Sequence, residues 1–112
     1  MSVSLVVENG KPDKEVRLIP VATEKVFEDY WRPACLTLGL KWIPLFQSGL
    51  PLTGEDVPYV LTELARLRCY LLDSTARDIP RDVAEGIILR IDNVVTELKH
   101  LRENPAAHAY VS

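Results

Sequence analysis

The chain has little of what most reaction chemistries require. Its 112 residues include two cysteines, two histidines and one methionine. Cys35 and Cys69 do not form a C-x2-4-C pair, and His100 and His108 do not form an H-x3-5-H pair, so zinc-binding spacing is missing. Both cysteines sit among apolar residues ("PACLTL", "RLRCYLL") and read as small hydrophobes rather than as a disulfide. There is no G-x-S-x-G turn, no glycine-rich phosphate loop, and no histidine beside the carboxylates of "FEDYW" or "GEDV". The expected activity is therefore non-enzymatic, with no cofactor and no metal.

A basic surplus is also missing. Lys and Arg number 13 against 16 Asp and Glu, a net charge of -3, whereas a nucleic-acid footprint needs the opposite balance. The longest apolar runs fall far below the ~18 residues of a membrane span. "MSVSLVVENGK" has neither the basic region nor the long apolar region of a secretory signal, so the expected compartment is the cytoplasm.

What is present suits a globular domain. Hydrophobic residues make up 47% of the chain and charged residues 26%, enough apolar surface for one core at this length. "SVSLVVE" alternates Val3, Leu5 and Val7 against Ser2, Ser4 and Val6, which predicts a half-buried strand. "NGKPDKE" supplies turn residues and "VRLIPV" a second strand, placed at a sheet edge or ended there by Pro20. Thr23 is a predicted N-cap, and Val26, Phe27, Tyr30, Trp31, Ala34 and Leu38 follow at helical spacing up to Gly39. Pro33 predicts a kink or break between Trp31 and Pro33. "LKWIPLF" is the candidate third strand.

Two helices are expected in the second half. The first starts near Thr53 to Asp56, with Pro58 in its first turn, and carries a stripe of Val57, Val60, Leu61, Leu64, Leu67, Leu71 and Leu72. The second begins at Asp78 or Ile79, just before Pro80, and from Val83 carries Ile87, Ile91, Val94, Leu98 and Leu101, a seam for an antiparallel neighbour. Asn104 and Pro105 are expected to close it. The fold class read from this order is α+β: an N-terminal hairpin or small antiparallel sheet, a kinked first helix, and a C-terminal antiparallel helix pair. The domain is expected over 1–104, with 105–112 a loose tail.

The stretch "GLKWIPLFQSGLPLTGEDVPYVL", residues 39–61, threads large apolar side chains through three prolines. Five of the eight aromatics, Phe27, Tyr30, Trp31, Trp42 and Phe46, fall between residues 27 and 46. Either these rings plug the space between sheet and helices, or Trp42, Phe46 and Leu50 rim a partner surface. The net charge lies entirely in residues 55–112, with seven basic and ten acidic side chains, so the alternative surface is an acidic helical face around Glu55, Asp56 and Glu63.

The strand hairpin, "IPVATEKVFEDYW" and then "LGLKWIPLFQSGLPLTGEDVPYVLTELARL" together resemble the layout of small bacterial immunity-type proteins, which neutralise a cognate toxin of an interbacterial competition system. The resemblance spans residues 2 to 72. It implies a cytoplasmic, non-enzymatic protein that binds one protein partner, and a monomer rather than a dimer is expected. Two rivals remain open at this point: an acidic secretion-type chaperone that dimerises and holds an effector segment, and a small enzyme using Cys35 or Cys69.

Overall fold

The alternation in "SVSLVVE" is realised as β1 (Ser2–Glu8), with Val3, Leu5 and Val7 turned into the core. In this computed structural model residues 2–8, 16–73, 79–103 and 108–111 are described. The expected turn "NGKPDKE", most of the loop "DSTARDIP" and the closure at Asn104 and Pro105 lie outside the described residues. β1 pairs antiparallel with β2 (Val16–Thr23). Between them Val3 faces Ala22 and Ser4 faces Pro20, which leaves Val21 as the extra residue of a bulge. Pro20 thus sits beside a bulge on an edge strand, where its missing N–H is tolerated.

The sheet has four antiparallel strands in the order β2-β1-β4-β3, with β3 (Leu50–Leu52) and β4 (His108–Val111) completing it. β4 corrects the expectation of a loose tail: it lies inside the sheet, bonded to β1 on one side and β3 on the other. Ala109 and Val111 are buried while His108 and Tyr110 are exposed, a period-two pattern confined to four residues. Pro51 lies in β3, again an edge strand.

Thr23 caps the next helix, its hydroxyl oxygen accepting the Val26 N–H at 3.2 Å. The helix runs as α1 (Glu24–Val26), a π turn (Phe27–Trp31) and α2 (Arg32–Leu38). The Arg32 N–H donates to the Phe27 carbonyl, five residues back. This widening immediately before Pro33 is how the chain absorbs a proline that cannot donate and that crowds the preceding turn. Gly39, at φ 70°, ends α2 in the left-handed conformation that glycine reaches most easily.

"LKWIPLF" is not a strand. Ile43–Ser48 forms a 3-10 helix, and the short strand β3 comes after it. Pro44 sits in its first turn, where no N–H is needed, and the backbone donors of residues 41–43 are taken by a side chain rather than by a neighbouring strand.

α3 (Val57–Leu72) and α4 (Arg81–Glu103) form the antiparallel pair. Val57, Val60, Leu64, Leu67 and Leu71 are buried on α3, and Ala84, Ile87, Ile91, Val94, Leu98 and Leu101 on α4. Each large side chain of this seam contributes about 1.5 to 3 kcal/mol through burial. Leu72 departs from the expected stripe: it is exposed in the last turn of α3, while Leu61 is half-buried at the margin. α4 also packs on β2, so all the helices described lie on one face of the sheet together with the core. None of these helices is long and apolar enough to cross a membrane.

Candidate functional site

The quoted segment divides between core and surface. Phe46 is 0% exposed, and its ring lies 6.4 Å from that of Phe27, which stacks on Trp31 at 5.5 Å. Phe46 therefore belongs to the core and is corrected as a surface anchor. The 3-10 turn puts its neighbours on different sides: Ile43 points in with Phe46, and Leu45 stands outside.

Trp42 is half-buried, and its indole stacks on Tyr59 with centroids 6.0 Å apart and planes within 7°. Tyr59 is 63% exposed. Val57 and Val60 occupy the inward positions of the first turn of α3, which leaves Pro58 and Tyr59 facing solvent. Trp42 and Tyr59 thus form an apolar stack built from two elements, and Leu45, exposed one 3-10 turn on from Trp42, follows it in the chain.

The backbone beneath this surface is held by one carboxylate. Glu63 accepts the N–H of Lys41 at 3.0 Å, of Trp42 at 2.9 Å and of Ile43 at 3.0 Å, capping a 3-10 helix that starts with no other side-chain cap. Charge-assisted bonds of this kind are about twice as strong as neutral ones. Arg66, on the same helix, donates to the Leu38 carbonyl at 2.8 Å and fixes the end of α2.

The other sequence candidates scatter. Leu50 is half-buried in β3, packed on the core and opposite Val111. Asp56 accepts the Thr53 N–H and hydroxyl at 3.1 Å, closing the turn that enters α3. Glu55 is exposed in that turn. Glu63, expected on an acidic partner face, has its carboxylate engaged by backbone donors instead. Sequence reasoning missed Tyr59 and Leu45. The signal was available for Tyr59: it falls between two inward valines, off the helix stripe.

Cys35 is buried, and its thiol is pushed up to about 12, first by burial and then by the Glu63 carboxylate, with Arg32 opposing. It is held as a thiol, the unreactive form. The unfolded thiol ionises near its ordinary 9.0, whereas the folded one keeps its proton to about 12. The stability this contributes is present below pH 9 and is lost as pH rises through that interval. Cys69 is exposed. A thiol reagent at pH 8 is expected to label one cysteine in the native protein and the second only after denaturation; rapid labelling of both would show Cys35 to be accessible. Among the described residues no group of three or more His, Cys, Asp or Glu side chains is arranged to hold a metal.

On the face of the sheet opposite the helices, Val6 lies between its cross-strand partners Leu18 and Tyr110, and Tyr110 lies opposite Pro51. Leu18 and Tyr110 are exposed, so a narrow apolar row crosses all four strands. No family model matches the chain, and no curated protein or solved structure matches it.

Proposed function

We propose that the protein is a non-enzymatic protein-binding module, a monomer that engages one protein partner through Trp42, Leu45 and Tyr59. The observation that carries this reading is the exposed Trp42–Tyr59 stack on backbone fixed by Glu63. Trp and Tyr anchors dominate binding energy at interfaces because they desolvate a large area with few rotatable bonds, and rigid backbone lowers the entropy lost on docking. Glu55, exposed in the turn four residues before Tyr59, and the net charge of -3 favour a partner with a basic rim.

The resemblance to immunity-type proteins supports a toxin as that partner and the cytoplasm as the place of encounter. Binding alone would neutralise such a toxin by covering the surface it needs. The high position of the Cys35 thiol weighs against the cysteine-enzyme reading for that residue.

The two tryptophans offer separate reporters. Titration of the isotope-labelled protein with a candidate toxin, followed by the two indole N–H resonances, is expected to shift the Trp42 signal and leave that of buried Trp31 in place. Saturable binding that moves only Trp31 would overturn the assignment of this surface.

A further inference from the structure

Between α2 and the 3-10 helix every backbone N–H has an acceptor. Gly39 and Leu40 bond back into α2, donating to the Leu36 carbonyl at 3.3 Å and the Cys35 carbonyl at 2.9 Å. The next three donors, those of Lys41, Trp42 and Ile43, all go to Glu63 on α3. Pro44 has no N–H, and Leu45 donates to the Trp42 carbonyl at 3.0 Å, which opens the 3-10 helix. Residues 41–43 precede the first helical bond and have no helical acceptor of their own, so without Glu63 three consecutive donors lose their partner.

Both oxygens of the carboxylate are used. Oε1 accepts from Trp42 at 2.9 Å and from Ile43 at 3.0 Å, while Oε2 accepts from Lys41 at 3.0 Å and from Trp42 at 3.1 Å. The Trp42 N–H is the one shared between them. An amide of the same length would turn an NH2 group toward at least one of these donors. Tyr59, on which the Trp42 indole stacks, lies one helical turn before Glu63 on the same side of α3. One helix supplies both the exposed ring and the group that sets the second ring against it.

We propose that Glu63 is the positioning residue of the docking surface: by holding residues 41–43 it keeps Trp42 stacked on Tyr59 in the free protein, so that the partner meets a surface already formed. The role in docking rests on the protein-binding reading, whereas the positioning itself is a property of the free chain. It carries a quantitative consequence. Where only a fraction of the molecules holds the competent arrangement, the apparent dissociation constant is the intrinsic one divided by that fraction. Loss of the Glu63 bonds therefore slows association in proportion to the stacked fraction, while the contacts of the formed complex, and with them the dissociation rate, are kept.

Nuclear magnetic resonance on the full chain without any partner tests the positioning. The ring-current shifts of the Tyr59 ring protons give the stacked fraction, with Trp42→Ala as the unstacked reference. Glu63→Gln is expected to reduce that fraction about tenfold and to speed amide hydrogen exchange at Lys41, Trp42 and Ile43 by about tenfold or more. Arg68→Ala, which removes the exposed pair with Asp92 from the same helix, is expected to leave both readouts at parent values. Parent-like Tyr59 shifts in a folded Glu63→Gln would overturn the proposal. Should that variant not fold, the parent alone decides: slow exchange at the three amides supports the proposal, and exchange at the unprotected rate overturns it. With the partner present, the association rate of Glu63→Gln is expected to fall by the factor that the free-state shifts give. A lost stack with parent-like association would confirm that Glu63 positions Trp42 and overturn the surface assigned to docking, so the two failures are distinguishable.

Discussion

Phe46→Ala is expected to cost about 3 to 5 kcal/mol of folding stability. The ring is fully buried against Phe27, in the same core cluster as Ile43, Leu52 and Val57. Truncation removes its transfer free energy and leaves a cavity that the surroundings close only in part. The 3-10 turn has little freedom to collapse into that space, because residues 41–43 are held by Glu63. For a domain with about 5 to 15 kcal/mol in total, the loss brings unfolding close to ordinary conditions. Urea unfolding of the variant is the check. An unfolding free energy within about 1 kcal/mol of the parent's would show that the ring is not a core plug.

The same segment shows where the sequence is legible and where it is not. α3 and α4 follow directly from apolar spacing, because a helix stripe is a local property of one strongly periodic stretch. β1 and the cap at Thr23 are legible for the same reason. Pro20 announces an edge because its missing N–H has a fixed consequence in any sheet. "LKWIPLF" misleads: its branched and aromatic residues suit a strand, but the carboxylate that captures its N–H groups comes from Glu63, about 20 residues on. No local pattern announces that interaction. β4 is hidden for a different reason, since four residues of alternation at a chain end are too few to distinguish from a loose tail.

Aromatic density has a comparable ambiguity. It marks residues 27–46 as important without saying which rings point inward, and the answer depends on the 3-10 geometry, which separates Phe46 from Leu45 by one residue.

Tyr59→Ala is the opposite case to Phe46→Ala. The side chain is exposed and stacks on the half-buried Trp42, so its removal creates no cavity in the core. Its effect on folding is expected to stay within about 1 kcal/mol, the upper part of what an aromatic pair contributes beyond area. As an interface anchor it is expected to cost about 2 kcal/mol or more of binding, roughly 30-fold in Kd. The loss should appear mainly as faster dissociation, since truncating an anchor changes contacts in the formed complex rather than diffusional encounter. The decisive measurement is the partner's dissociation constant for Tyr59→Ala beside that of the parent, on protein whose unfolding midpoint has been shown to be unchanged. A weakening of about 30-fold or more supports Trp42, Leu45 and Tyr59 as the docking surface. Parent-like affinity in the folded variant would contradict it.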